Sequence, residues 1–419
     1  MTTCWCGVQD LRPFSPEYLD CPACGTLVFA QNLSAADLEV RDDEADFYGK
    51  NYWIKHQTEN FGYSDFETRS RADLTERNLF WLKALLRLRH PPGKILELGC
   101  AHGSFVALLN QCGFDAMGLE MSPWIVEFGR QAFAVDILQG PVEHQELPKG
   151  SLDAIVLMDV IEHLPDPSGT MAHCLELLKP DGILLIQTPD YRPGMVFEKL
   201  VEEKAAFLEQ LKPREHLFLF SPASIETFFK RLGAEYVRFF PAIFDQYDMF
   251  LAVSRMPLAD YGDGEMVTCL SHSAPSRIVL ALLDLYDQLK ANREQLAGVE
   301  VDRAARYDQI QTLTQQMKAL GAQLEESEAD RLARRSSFSI TEMMGELFSA
   351  SHFTLLIRED ALEELKSLES SNIQLRTMIP ASDPTPAPLA QSRGAVERAW
   401  GRVRRMLSSL LRAAPKHFP

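Results

Sequence analysis

The sequence predicts an α/β protein built on a doubly wound, Rossmann-like sheet, and three observations carry that expectation. From near Asp46 to Ser254, short β-branched or aliphatic runs alternate with helical stretches, the pattern of parallel strands joined by crossover helices. One run, Lys94-Ile-Leu-Glu-Leu98, ends in a glycine-containing turn, Gly99-Cys-Ala-His-Gly103, before the next helical stretch. Acids then recur at later run ends, at Glu120 and Asp159, where an open sheet presents its ligand residues.

The chain has 419 residues, too many for one ordinary domain, and 46% hydrophobic with 24% charged residues is a soluble composition. No apolar run approaches the ~20 residues that span a bilayer, and no basic segment precedes an apolar one, so a cytoplasmic protein is expected. The formal charge of −17 argues against general nucleic-acid binding, which needs a basic surface.

Residues 1–33 hold Cys4, Cys6, Cys21 and Cys24, with glycine after the second and fourth. Four thiolates in two knuckles can close a tetrahedral structural zinc site, so a small zinc-ribbon-like module is expected. The first knuckle is C-x-C rather than the usual C-x-x-C. Cys100, Cys112, Cys174 and Cys269 are scattered, which suits zinc at the N-terminus better than a disulfide framework.

Residues 40–256 form the expected catalytic domain. In Lys94-Ile-Leu-Glu-Leu-Gly-Cys-Ala-His-Gly-Ser-Phe105 the glycines let the backbone turn and approach a ligand. A dinucleotide fingerprint would read G-x-G-x-x-G and seat a pyrophosphate. Here the spacing differs and Glu97 precedes the first glycine; a carboxylate there repels phosphate and welcomes an ammonium, which favours S-adenosylmethionine over NAD. Glu120, at the end of Ala116-Met-Gly-Leu-Glu120, can accept from both ribose hydroxyls. In Gly140-Pro-Val-Glu-His-Gln-Glu-Leu-Pro148, Val142 and Glu143 can flank an adenine, and Ala154-Ile-Val-Leu-Met-Asp159 delivers Asp159-Val-Ile-Glu-His163 to the same sheet edge.

On these residues, 90–256 resemble class I S-adenosylmethionine-dependent methyltransferases with an E-x-G-x-G-x-G loop and a D-V-x-E-H-L fourth motif. Ala101 stands where that family usually has its middle glycine, a departure of little cost if φ there is negative. The resemblance implies a seven-stranded sheet and a cofactor site drawn from Glu97, Gly99, Cys100, Ala101, Gly103, Glu120, Met121, Val142, Glu143, Asp159 and Val160. Methyl transfer needs in-line geometry and a base, for which His163 and His216 are the candidates; either could instead cap or pack. No cluster of acids and histidines in the sequence demands a metal-assisted route. Phe47-Tyr-Gly-Lys-Asn-Tyr-Trp53 reads either as a lid or as a helix packed on the sheet.

A polar linker is expected over 257–276, and a helical region over 277–378. Leu282, Leu285, Leu289, Leu296, Val299, Ile310, Leu313, Met317, Leu320 and Leu324 share one register of alternating three- and four-residue steps, with Asn292, Arg303 and Arg306 in the missing places. That seam predicts a coiled coil and a homo-oligomer; a single amphipathic helix on the catalytic domain is the alternative. A Pro-rich linker, 379–393, leads to a basic amphipathic helix, 394–413, in which Arg398, Arg402, Arg405 and Arg412 oppose Val396, Trp400, Val403 and Leu407. From Ala381 to Pro419 seven basic residues face two acidic ones, a net of +5, so the remainder carries −22. Such a helix reads as an anchor on the inner face of the plasma membrane, or as a strut docked on the acidic body.

The methyltransferase-like domain, coiled coil and basic terminal helix together resemble bacterial enzymes that methylate a surface polysaccharide or lipid-linked glycan on the cytoplasmic membrane face, and the resemblance implies O-methylation of a sugar hydroxyl beside partner glycosyltransferases. Some sugar-modifying methyltransferases resemble this arrangement, with a cysteine-rich module ahead of the catalytic domain. The alternatives are C-methylation of a nucleotide-linked keto sugar, and a coiled-coil scaffold for glycan-assembly enzymes whose α/β domain only binds cofactor.

Overall fold

The structure, a computed structural model, describes residues 2–44, 46–55 and 65–335, together with Glu363. The chain divides into two units, Met1–Ala304 and Ala305–Pro419. The first unit opens with three short strands, β1 (Arg12–Pro13), β2 (Tyr18–Asp20) and β3 (Leu27–Phe29), then helices α1 (Ala35–Leu38), α2 (Lys50–Lys55), α3 (Phe66–Asp73) and α4 (Leu79–Leu86). Strand β4 (Lys94–Leu98), α5 (Ser104–Cys112), β5 (Asp115–Glu120), α6 (Pro123–Phe133) and β6 (Ile137–Gln139) form the first half of the sheet domain. The second half is β7 (Leu152–Met158), α7 (Pro167–Leu177), β8 (Leu178–Pro189), α8 (Phe197–Glu203), β9 (Phe218–Leu219), α9 (Pro222–Arg231), β10 (Tyr236–Phe240) and β11 (Asp248–Ser254). Helices α10 (Asp263–Leu270) and α11 (Ala274–Arg335) follow.

Seven strands order as β10-β11-β8-β7-β4-β5-β6, with β11 antiparallel to both its neighbours and the other pairs parallel. Strand β4 has β5 on one side and β7 on the other, so the chain reverses its winding there, and the crevice at this switch point is where such sheets bind ligands. The expected doubly wound sheet is therefore present. Its central strands are buried on both faces, which is why they read as unbroken apolar runs. Along β7, Ile155 and Leu157 enter one core while Ala154 and Val156 enter the other, the two-residue alternation of a pleated strand.

The N-terminal strands make a second sheet, β1-β2-β3-β9, whose last member comes from the segment between α8 and α9. Cys4, Tyr18, Leu27, Val28 and Phe29 share a core with Leu96, Leu157 and Leu251 of the large sheet. The polar connector contains α10, because the Gly262 amide at its N-terminus donates to Glu265 Oε2 at 2.9 Å and because Met266 and Leu270 bury against the second core. Helix α11 buries Val279 and Leu283 in that core, while Leu285, Leu289, Leu296 and Val299 are exposed.

In the second unit the described helical residues expose Ile310, Leu313, Met317, Leu320 and Leu324. Among the described residues no helix is long and apolar enough to cross a membrane. The Pro-rich linker and the basic helix over 394–413 lie outside the described residues, as does nearly all of the helical continuation to 378.

Candidate active site

The turn after β4 is shaped by glycine. Gly99 has φ +66°, and a Cβ there would lie 2.6 Å from Val160 Cγ2, so both conformation and space demand glycine. Ala101 has φ +47°, so the expectation that alanine costs little there is corrected: it sits in the left-handed region at a cost of roughly 1 kcal/mol. The strain is held by Glu120, whose Oε2 accepts from the Ala101 amide at 3.1 Å while Oε1 accepts from Met121 at 2.7 Å. Glu120 thus ties the end of β5 to the loop after β4.

A cavity of about 240 Å³ opens at the carboxyl ends of β4 and β7. Of the expected residues, Glu97, Gly99, Cys100, Ala101, Asp159, His163 and His216 line it. Gly103, Glu120, Met121, Val142, Glu143 and Val160 are not on its wall: Val142 is buried, Glu143 accepts a hydrogen bond from the Thr170 hydroxyl, and Val160 packs over Gly99.

Glu97 is 5% exposed, its Oε2 has no hydrogen-bond partner, and burial pushes its carboxyl well above the usual carboxylate range. A buried carboxylate oxygen without a donor is costly, and an ammonium entering the cavity would remove that cost. The residues present therefore fit the amino-acid end of S-adenosylmethionine. Asp159, at φ +59°, accepts from Gln187 Nε2 at 3.0 Å, and Gln187 Oε1 in turn accepts from Trp81 Nε1 at 2.9 Å.

Both histidines face the same cavity, with ring centroids 4.8 Å apart. His216 Nδ1 lies 2.8 Å from the Gln210 carbonyl, which only accepts, so Nδ1 carries a hydrogen. His163 Nδ1 lies 3.0 Å from Tyr48 Oη, and its Nε2 is 3.9 Å from Glu162 Oε1. Glu162 is fully buried: Oε2 accepts from Thr188 at 2.9 Å, Oε1 has no hydrogen-bond partner, and burial with Asp159 nearby raises its carboxyl. Ligating atoms of Glu162, His163 and His216 all lie within 4.8 Å of one another and could hold a divalent cation. The sequence reading found no such cluster, because only the fold brings His216 to the motif that carries the other two.

Other wall residues escaped sequence reasoning. Asp73, from α3, pairs with His102 at 3.1 Å and Arg69 at 3.4 Å, fastening that helix to the glycine loop. Asp248, at the start of β11, is pushed up to about 8 by burial and by Asp159. The Arg69, Asp73, Arg77 spacing is visible as a helical charge ladder, but nothing local says that it faces the loop. Of Phe47–Trp53, the structure places Tyr52 and Trp53 on the cavity wall and Tyr48 on His163.

The four N-terminal cysteines converge. Their sulfurs lie within 4.8 Å of one another, with Cys4–Cys24 and Cys6–Cys21 at 3.5 Å. The Cys4 hydrogen bond pushes the Cys24 thiol down to about 5, and Cys4 itself is raised. Four sulfurs at this separation suit a tetrahedral thiolate site.

Residues 71–238 match the family model for a methyltransferase domain. A ubiquinone biosynthesis O-methyltransferase of Xanthomonas campestris pv. campestris is 29% identical over 135 residues, covering 30% of this chain and 55% of the relative. A protein of Mycolicibacterium smegmatis named as a probable S-adenosylmethionine-dependent methyltransferase is 33% identical over 104 residues, covering 24% of this chain and 40% of the relative. The chain thus spans about half the length of the curated relatives it matches first. A solved S-adenosylmethionine-dependent methyltransferase from Thermotoga maritima, described as a possible histamine N-methyltransferase, aligns at TM-score 0.35 and 19% identity, covering 49% of this chain and 99% of that one. That score is too low to bear on the fold.

Proposed function

We propose that this chain, built around a domain of the class I S-adenosylmethionine-dependent methyltransferase type, moves a methyl group from S-adenosylmethionine to a hydroxyl of a sugar in a surface polysaccharide or lipid-linked glycan. The observation that carries the reading is one cavity lined both by Glu97, whose Oε2 has no hydrogen-bond partner, and by two histidines. S-adenosylmethionine, when bound, supplies an electrophilic methyl on a sulfonium. Glu97 holds the ammonium; the glycine turn lets the backbone close on the ligand; Asp159 presents a carboxylate beside it. In the neutral ring of His216, with the hydrogen on Nδ1, Nε2 accepts the hydroxyl proton, and His163 is steadied by Tyr48. Walls of Tyr52, Trp53, Phe244 and Tyr247 with Lys212 and Glu215 among them suit a ring with apolar faces and hydroxyl edges.

The relatives named as O-methyltransferases favour a hydroxyl acceptor over a carbon nucleophile. A second reading rests on the unpartnered Glu162 Oε1: with His163 and His216 it would hold a divalent cation, which would lower the acceptor hydroxyl's pKa. Calorimetry with S-adenosylmethionine, then turnover on lipid-linked glycans with and without chelator, tests both. His216→Ala is expected to lower kcat about 10²- to 10⁴-fold with cofactor affinity unchanged. No heat of binding would end the proposal, and full turnover in chelator would end its metal variant.

The four cysteines are read as a structural zinc site. The apolar seam from Leu285 to Leu324 is read as a coiled coil that pairs copies of the chain and places the enzyme beside glycosyltransferases. The basic helix 394–413 is read as a contact with the inner membrane face.

A further inference from the structure

The four-cysteine module and the acceptor side of the cavity are joined by backbone. Strand β3 pairs with β9, Leu27 opposite Leu219 and Val28 opposite Phe218, and the Phe29 amide donates to Leu217 O at 2.9 Å. Tyr18, 1% exposed, donates its hydroxyl to the carbonyl of His216 itself at 3.0 Å. The Leu217 amide then donates to Glu162 O at 2.7 Å, so the same segment fastens the acid of the cluster as well as His216. Between the first two cysteines, Trp5 packs edge-on to Phe228 at 5.0 Å and under the Arg231 guanidinium at 5.3 Å, while Arg231 also donates to Cys6 O at 3.3 Å.

The cofactor side shares an apolar core with the module through Leu96, Leu98 and Leu119, whereas the module's strand pairing is with β9. Glu97, Gly99, Ala101 and Glu120 are held by β4, β5 and their own loop amides. The two halves of the cavity thus differ in support: the cofactor half rests on the large sheet, and the acceptor half is tied as well to the N-terminal hairpin, where four converging cysteines add to the β2–β3 pairing. A module this small cannot build a core of its own; its Tyr18, Leu27, Val28 and Phe29 share the core of the large sheet, and its four sulfurs offer a metal a site that would order the loops between them.

From this we infer that a zinc ion on Cys4, Cys6, Cys21 and Cys24 braces the acceptor half of the active site, with Tyr18 the positioning residue for His216, so that metal loading governs methyl transfer without governing cofactor binding. The inference rests on the proposed methyltransferase reading for its consequence, but the brace itself is a statement about order and can be measured alone. Zinc sets the β2–β3 hairpin, the hairpin pairs β9, and Tyr18 of that hairpin holds the backbone that carries the His216 ring.

The full chain, purified without chelator, should carry one zinc per chain; its absence at any loading would overturn the inference. Zinc is then stripped, and hydrogen exchange is followed in peptides covering 214–220 and 94–104. Exchange in 214–220 should rise about tenfold or more while 94–104 stays within about twofold, since opening is local. Affinity for S-adenosylmethionine should stay within about twofold while turnover falls about tenfold or more. Unchanged exchange in 214–220, or loss of cofactor affinity together with it, would each overturn the brace. Tyr18→Phe removes only the hydroxyl: it should keep its zinc and the KM for S-adenosylmethionine, with kcat down about fivefold. An unaltered kcat would remove Tyr18 from the chain of support. If no acceptor is turned over by the unaltered protein, the exchange arm still decides the brace, and the enzymatic reading fails separately.

Discussion

Glu97 holds a carboxyl group in a place that disfavours its charge. Burial raises its pKa, so relative to the unfolded chain it binds its proton more tightly when folded. Its contribution to stability is therefore complete below the unfolded value near ~4.3 and is lost as pH rises through the raised folded value. A cationic ligand pulls the other way, since it is held by the ionised form, and its affinity should improve across that same rise. Glu97→Gln separates the two effects. The ligand-free variant should melt above the parent at pH 8, while S-adenosylmethionine affinity drops roughly 10- to 150-fold, the worth of one charge-assisted hydrogen bond. A matched pair of calorimetric titrations at pH 6 and pH 8 checks this, and a variant that binds as tightly as the parent at both would show that Glu97 does not meet the ligand. Glu97 was legible because its position before the glycine turn is local. The left-handed Ala101 was not, because an alanine letter carries no φ; it is the Glu120 carboxylate, nineteen residues on, that compensates it.

Elements were legible where both faces are buried. The runs ending at Leu98, Glu120, Met158 and Ser254 are strands because each is apolar on either side of the pleat. Pairing between distant short strands left no such trace: β9 is two residues long, and nothing in Phe218-Leu219 names Leu27 and Val28 as partners. The same limit hid the meeting of His163 with His216. Helix α9, which follows β9 directly, starts with Ser221 accepting from the Ser224 amide at 3.1 Å and Ser224 Oγ accepting from the Ser221 amide at 2.7 Å. Both are buried, so water cannot replace these bonds. Ser221→Ala should cost about 1–2 kcal/mol in urea unfolding with the slope unchanged. A loss under a few tenths would mean that Pro222 alone sets the start of the helix.

At the scale of the molecule, the feature left without explanation by the catalytic domain is the apolar stripe of α11. Leu289, Leu296 and Val299 in the first unit are 48–62% exposed, and Leu313, Met317 and Leu320 in the second are 51–64% exposed. Large apolar side chains left in water forgo roughly 1.5–3 kcal/mol each, and their regular three- and four-residue steps match the spacing that another helix can cover. Scattered exposed leucines need no partner, but a periodic row of them does. The same chemistry in a second copy is the simplest cover, and the intervening Asn292, Arg303 and Arg306 would select its register. Sedimentation equilibrium of the full chain should therefore give a multiple of the 47.3 kDa chain mass. Leu313→Glu with Leu320→Glu should return it to that mass while S-adenosylmethionine affinity stays as it was, because neither residue is part of the cavity lining. A parent protein that sediments as a single chain at micromolar concentration would refute self-pairing and leave the stripe to a different partner helix.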